Sequence, residues 1–399
     1  MSPRVAISAL FALDGAALGG WMSHLPEAQR QHHLTTGQLG ATLLCSSLGA
    51  LSAMTLSGTL VHQFGSRRVA IVSFWLVLCI VPLLLHAPSQ GWLAFTLFLM
   101  GASNGTTDIA MNSHAMAIHE QSKKPILSSV HGWWCVGGFL GGAGTALANK
   151  LNFGPADHLV VASILFGIIF AVSIPGLLPD DADRGEEGAR FALPHGRLLS
   201  LGLLALLALF AEGALWDWSA VYFRDELKTS APVAALGFGI GAGSMAVGRM
   251  AGDFFVERFG AARMLGISGL MTSGGIILGT LWAHPMGAFI GFCFAGLGLA
   301  NAVPILFAAA SNVPGVSSSA GIAAVASLGY AAFLGGPPLI GNIAQATSLR
   351  FGLALVGSFA ALIAVFGPKV LREGARSPRL SGGEGAGGEG REPFNGPQP

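Results

Sequence analysis

Apolar residues fill long runs of this chain, and polar ones gather in the short breaks between them. A window of about 19 residues finds twelve apolar segments. The first six are Val5–His24, Leu39–Val61, Val69–His86, Gly91–Ala117, Leu127–Ala148 and His158–Leu178. The second six are Leu198–Tyr222, Val233–Val256, Met264–Trp282, Met286–Ala310, Ser319–Ile343 and Phe351–Leu371. A helix needs about 20 such residues to span a hydrocarbon core. The pattern predicts an all-α membrane protein with twelve transmembrane helices.

The longest polar break inside the chain is DDADRGEEGARFALPHGR, residues 180–197, and it divides six segments from six. It predicts a six-helix half over 1–178, a linker over 179–197 and a second half over 198–372. The remaining 373–399, rich in Gly, Pro and charge, read as a disordered tail. The two halves repeat. GTLVHQFGSRR (58–68) follows the second segment and DFFVERFGAAR (253–263) follows the eighth, 195 residues later. At that same offset Gly101 meets Gly296. Parallel repeats of this kind are a transporter layout.

Fifteen Lys and Arg residues, from Arg4 to Arg391, fall on the side of the termini. Five (Arg30, Lys150, Arg224, Lys228 and Arg350) fall on the other, and Arg249 lies within a span. The positive-inside bias therefore predicts cytoplasmic termini. Arg4 is followed at once by apolar residues, and Asp14 interrupts the run, so the first segment reads as a retained helix and not a cleaved signal.

Composition agrees. Hydrophobic residues are 52% and charged ones 10% of the chain, against about 25% charged in a soluble domain. The 58 glycines suit closely approaching membrane helices, with small-xxx-small spacing at Gly138/Gly142 and Gly237/Gly241. Net charge of +1 gives no indication of nucleic acid. The four cysteines, Cys45, Cys79, Cys135 and Cys293, lie in apolar stretches without metal spacing and read as packing residues. No nucleophile elbow, zinc motif or P-loop is present. The reading is therefore a non-enzyme without cofactor, metal or ATP drive.

Polar positions inside the segments carry the chemistry. Segments three, six, nine and twelve hold no internal charge and are expected to face lipid. Asp14, Asp108, and Glu212 with Asp217 lie in segments one, four and seven, and intramembrane acids face a bundle interior or a wet cavity. Asn104, Asp108 and Asn112 recur every four residues, on one helical face. Asp14, Asp108 and Glu212 are the candidate proton carriers, with structural pairing as the alternative. Asn104, Asn112, His131, Trp21, Trp218 and Asn301 are candidates for contacting a solute. The tryptophans equally suit interfacial anchoring, and His131 equally suits packing. Arg249 and Asp253 are spaced to pair along one helix, as gate or scaffold. His114 and His119 read as interfacial.

Twelve segments in two halves, with a basic glycine-containing loop after segments two and eight, resemble the major facilitator superfamily over roughly residues 4–372. Its hallmark loop, Gly-x-x-x-Asp-Arg-x-Gly-Arg-Arg, is matched by Gly58, Gly65, Arg67 and Arg68, whereas His62 and Gln63 stand where the family has Asp and Arg. The second copy holds Glu257, Arg258, Gly260 and Arg263. DIAMNSHAMAI, SSVHGWWCVGG and EGALWDWSAVYFRD further resemble bacterial inner-membrane permeases similar to the fucose–proton symporter, which has acids in its first and fourth helices. The resemblance implies a monomeric secondary transporter in the lipid bilayer of the inner membrane, gated at the two basic loops. It implies protons and a small polar solute, such as a sugar, as partners. A proton-driven exporter of drugs or metabolites is the alternative.

Overall fold

The computed structural model describes residues 1–122, 126–179 and 195–376. The body of the expected linker (180–194), the tail beyond 376, and Lys123 and Lys124 lie outside the described residues. Every described element is helical. α1 is Pro3–Ser23, α2 Leu25–Gln31, α3 Thr36–Phe64, and α4 Ser66–Ile80 continues as a 3₁₀ turn through Val81–His86. α5 is Gln90–Ser122, α6 Leu127–Lys150, and α7 Pro155–Ser173 ends in a 3₁₀ turn, Ile174–Gly176. α8, Arg197–Val221, ends in a π turn, Tyr222–Glu226; α9 is Ala231–Phe259 and α10 Ala261–Leu281. α11 (Pro285–Leu299) and α12 (Ala302–Ala310) share one apolar segment, followed by α13, Ser318–Ala346, and α14, Leu349–Arg376.

A helix or broken helix thus occupies each of the twelve apolar segments. Among the described residues nine spans are long and apolar enough to cross a membrane, and α3 adds a tenth as two arms, Thr36–Met54 and Leu56–Phe64, bent by 46°. α5 and α6 fall below that hydropathy because Asn104, Asp108 and Asn112 interrupt one while Gly, Ser and Trp fill the other. α14 runs through Arg376, so the first residues assigned to the tail are helical. Lys369 and Arg372 lie in its last two turns, near the end where cations complement the helix dipole.

Local chemistry sets the helix ends. Thr35 caps α3, accepting from the Gln38 amide at 3.2 Å while its own amide donates to Gln38 Oε1 at 2.9 Å. Gly65 ends α3 at φ 82°, ψ 150°, and Gly260 ends α9 at φ 78°, ψ 147°, conformations that an L side chain rarely adopts. The repeat seen in the sequence is therefore present in the backbone. It extends to packing: a Cβ on Gly101 would meet the Ser46 backbone, and one on Gly296 the Gly241 carbonyl. Ser46 and Gly241 are themselves 195 residues apart.

The spans of α1 and α8 are the most buried, at 72% each, and those of α7 and α14 are only 33% and 39% buried. α7 and α14 match the expectation of lipid-facing helices, whereas the other two so expected do not stand apart: α4 is 50% buried and α10 56%, the same as α9. α13 is also only 33% buried, because Ala331, Gly335 and Leu339 form an exposed stripe along one side. The pair Gly138/Gly142 forms the crossing of α6 with α9, against Ala242 and Gly239. The pair Gly237/Gly241 instead receives Phe223 and, on its other side, Gly296 of α11.

Candidate functional site

α5 brings its polar face to the middle of the bundle. Asn112 Nδ2 donates to Asp108 Oδ1 at 3.0 Å and to the Asp108 carbonyl at 2.9 Å. That fixes the amide, since its Oδ1 must then face away from the carboxylate. Asn112 Oδ1 lies 3.0 Å from His131 Nε2 on α6, so this nitrogen carries the proton and donates. The His131 ring stands edge-on to Phe11 of α1 at 5.2 Å. Asp108, Asn112 and His131 thus form one hydrogen-bonded chain between helices. Asn104 lies one turn earlier on α5, with its buried Oδ1 unpartnered.

Asp14 on α1 is 1% exposed. Its Oδ2 accepts from Trp134 Nε1 of α6 at 2.9 Å, and its Oδ1 has no partner. It lies within electrostatic reach of Asp108. Trp134 in turn packs on Trp216 of α8, ring centroids 4.4 Å apart and planes at 34°. Trp216 also meets Phe238 of α9 edge-on at 5.1 Å.

Glu212 on α8 accepts from Arg249 on α9 at 3.0 Å. Arg249 therefore does not serve the expected pair with Asp253, which is exposed. Arg249 reaches a buried carboxylate on the neighbouring helix, whereas Asp253, one turn further along the same face of α9, is exposed to its surroundings. Cys135 stands beside Arg249 and Glu212, and Tyr330 of α13 lies within electrostatic reach of both Asp108 and Glu212. Glu212 Oε2 and Arg249 Nε are buried without partners. Asp14, Asp108, Asn112, His131 and the Glu212–Arg249 pair are accordingly drawn together from α1, α5, α6, α8 and α9.

Other expected contacts lie elsewhere. Trp21 and Trp218 are both wholly buried in the apolar core, so neither presents a face to a solute. Asn301 sits at the break between α11 and α12 and donates to the Gly248 carbonyl at 3.1 Å, which ties that break to α9. His114, expected at the interface, is 1% exposed. Its Nδ1 meets Ser66 Oγ at 2.8 Å and its Nε2 accepts from the Leu178 amide at 3.0 Å. It therefore fastens the start of α4 to the end of α7. Arg67 donates to the Ile174 carbonyl at 3.4 Å, at the C-terminal end of α7, where helix carbonyls attract cations. Arg68, Arg258 and Arg263 are exposed, and Gly58 faces open space. No group of three His, Cys, Asp or Glu residues suited to a metal occurs among the described residues.

Trp134, Tyr330 and Cys135 were not singled out by the sequence pattern. Trp134 had one signal: it lies three residues after His131, on the same helical face. Trp133, its neighbour, points outward and is 43% exposed.

The two halves also meet away from this centre, at the end of the bundle that holds α2. Arg30 pairs with Asp225 at 3.3 Å and Thr35 Oγ1 donates to Gln345 Oε1 at 3.0 Å; farther along the same two helices, midway down α3 and α13, Ser47 donates to the Phe333 carbonyl at 2.7 Å.

Two repeated sets of membrane helices around a central polar cluster define a secondary-transporter architecture. The sequence profile of the Major Facilitator Superfamily matches residues 5–332, and the chain belongs to that superfamily. It is 31% identical over 373 residues to an uncharacterized MFS-type transporter of Yersinia pestis, covering 93% of this chain and 97% of that protein. It is 34% identical to the uncharacterized transporter y4wD of Sinorhizobium fredii, covering 92% and 98%. It is 32% identical to the membrane protein MosC of Rhizobium meliloti, covering 90% and 88%. Among solved structures, the nucleoside transporter NupG aligns over 94% of this chain and 100% of its own with a TM-score of 0.70 at 14% identity. A bacterial homolog of the lysosomal transporter Spinster, inward-facing and occupied, aligns over 94% and 96% with a TM-score of 0.71, also at 14% identity. The protein is a multi-pass membrane transporter and not an enzyme.

Proposed function

We propose that this transporter carries a small, neutral, hydroxyl-rich solute, a sugar or sugar derivative, together with protons, by alternating access. One observation supports this reading above the others. On the residues of the polar cluster the buried atoms left without partners are three acceptors, Asp14 Oδ1, Asn104 Oδ1 and Glu212 Oε2, and one donor, Arg249 Nε; the Trp21 and Trp218 indole N–H groups, also without partners, lie farther along α1 and α8. An unpaired buried polar group costs about 1–3 kcal/mol, so the centre favours a solute that donates several hydrogen bonds. A polyol does so. An anion would offer only acceptors to a site already holding three carboxyl groups.

In this reading Asp14, Asp108 and Glu212 are the proton-binding groups. Asn104, Asn112 and His131 orient the solute, and the halves 1–178 and 198–372 rock about the midplane. The Lys/Arg bias supports cytoplasmic termini in a bacterial inner membrane, which makes the α2 end the outer one. The loops holding Gly58, Gly65, Arg67, Arg68, Arg258, Gly260 and Arg263 then form the inner gate. The protein acts as a monomer. The test is uptake into proteoliposomes across an imposed pH gradient, with a panel of radiolabelled sugars, polyols and nucleosides. Gradient-driven accumulation of a polyol supports the reading; accumulation of none of them, with the protein correctly inserted, rejects it.

The Trp134–Trp216–Phe238 cluster favours a second reading, proton-driven export of an amphipathic compound. Efflux of a lipophilic dye under the same gradient would select it.

A further inference from the structure

We propose that Trp134 is a positioning residue that conveys the protonation state of Asp14 to the contact between the two halves. This rests on the reading of Asp14 as a proton carrier and extends it to the conformational change.

The geometry gives Trp134 two faces of contact. Its indole N–H donates to Asp14 Oδ2 at 2.9 Å. Its ring lies on Trp216, 4.4 Å between centroids. α1 and α6 belong to the N-terminal set of helices and α8 to the C-terminal set, so the stack crosses from one half to the other. Trp216 is 8% exposed and shares an apolar cluster with Ala220, Phe238 and Ala242, against which Met22 of α1 also packs. The stack is tight because position 138 is glycine: a Cβ there would lie 2.6 Å from the far edge of the Trp216 ring.

Asp14 has one oxygen bonded to Trp134 and one buried oxygen without a partner. A proton therefore has a free position at Oδ1, and taking it does not require the indole bond to break. It does weaken that bond. Hydrogen bonds to an ionised carboxylate are roughly twice as strong as those between neutral groups. The ionised acid holds the indole firmly against Trp216; the protonated acid releases it. Asp108 on α5 acts on Asp14 directly, while the other ionisable groups of the site, His131 on α6, Glu212 and Asp217 on α8, Arg249 on α9 and Tyr330 on α13, lie on the neighbouring helices. Farther along, His24 and His158 lie toward the α2 end. The hydrogen bond on the Asp14 carboxylate is the one from Trp134; none of these ionisable groups bonds to either side chain among the described residues.

The experiment uses the full chain in lipid nanodiscs with its eight tryptophans replaced by 5-fluorotryptophan. Fluorine spectra are recorded from pH 4 to 9 without added solute. Trp134→Phe and Trp216→Phe assign the two resonances by loss of a peak. The expected result is that both resonances shift with one shared midpoint in the wild type and that neither shifts in Asp14→Asn. In Trp134→Phe the Trp216 resonance loses its pH dependence, although Asp14 is still present. Gly138→Ala gives an independent check if Trp134→Phe folds poorly: there Trp134 still titrates and the displaced Trp216 does not. A Trp216 resonance that titrates normally in Trp134→Phe or in Gly138→Ala overturns the proposal, as does a wild-type protein in which the two midpoints differ. Gradient-driven uptake that needs Asp14 while both indoles stay silent to pH also overturns it but leaves the proton-carrier reading intact. Uptake indifferent to Asp14→Asn rejects that reading itself.

Discussion

Arg249 donates to Glu212 at 3.0 Å, with the two side chains only 11% and 10% exposed, inside a chain otherwise sparing of charge. Removing one member of such a pair strands the other, at a cost of about 3–5 kcal/mol, whereas replacing both with apolar residues of similar volume is often neutral. Arg249→Met alone should therefore lower the melting temperature in detergent sharply. Adding Glu212→Leu should recover most of the loss without restoring transport. If the double variant melts no higher than the single one, the pair is not the source of the destabilisation, and Arg249 acts through Cys135 or another neighbour.

This pair also shows where sequence reading stops. Asp14 and Asp108 stand out because an acid inside an apolar run has few structural excuses. The twelve segments, the halves and the Gly65/Gly260 repeat stand out because lipid imposes length and the repeat imposes an offset. Arg249 offered Asp253 at helical spacing, but the choice between that partner and Glu212 depends on which way α9 rotates against α8. Rotation is set by the packing of Ala, Gly and Phe faces that have little periodic signature. The same holds for Trp134: one of two adjacent tryptophans points inward, and only the docking of α6 on α1 says which. Trp21, Trp218 and Asn301 were credible as solute contacts because polar tips in a membrane invite function. In the fold the two indoles are sealed by packing and the amide closes a helix break.

The glycines of the two basic loops differ in what they do. Gly65 and Gly260 hold φ of 82° and 78° with ψ near 150°, a region open essentially to glycine alone, where a side chain costs about 1–3 kcal/mol. Gly58 lies within α3 with nothing near its missing Cβ. Gly65→Ala and Gly260→Ala should each lower the melting temperature, by similar amounts because the two turns are alike. Gly58→Ala should leave it unchanged or raise it slightly, since Ala is the better helix former. Equal destabilisation by all three would mean that the loop glycines are needed for a contact made in another conformation.

Arg30 and Asp225 bridge the halves at the α2 end with side chains 42% and 37% exposed. Such a pair contributes about 0–1 kcal/mol, too little to matter for folding. It is enough to shift a balance between two conformations about fivefold. Arg30→Ala should leave melting unchanged and speed the reaction of a membrane-impermeant thiol reagent, added from the α2 side, with a cysteine placed at Asn104. The four native cysteines are replaced beforehand. Raising the salt concentration should move the wild type in the same direction, because exposed pairs are screened. No change in labelling under either treatment would assign the closure of that end to Thr35 and its partner Gln345 on α13.

Asp108 poses the sharpest test of proton coupling. An ionised carboxylate near the middle of a membrane costs at least about 2.5–3.5 kcal/mol on the lenient insertion scale. The protein offsets part of this with Asn112, which in turn is held by His131. In the proposed cycle the carboxylate takes a proton when the site is open to water. Neutral, it no longer opposes closure around a dry site, and opening to the other side lets the proton leave. Asp108→Asn mimics the protonated form and keeps an oxygen that can accept from Asn112. It should therefore fold, bind solute and support solute exchange across vesicles, since exchange needs no net proton movement. Accumulation against a solute gradient should be lost at every pH, because the site can no longer release a proton. His131→Gln should behave differently, lowering exchange and accumulation together, since it loosens Asn112 without removing the titrating group. Wild-type accumulation by Asp108→Asn would leave the carboxylate a purely structural partner of Asn112 and shift the proton to Asp14 or Glu212.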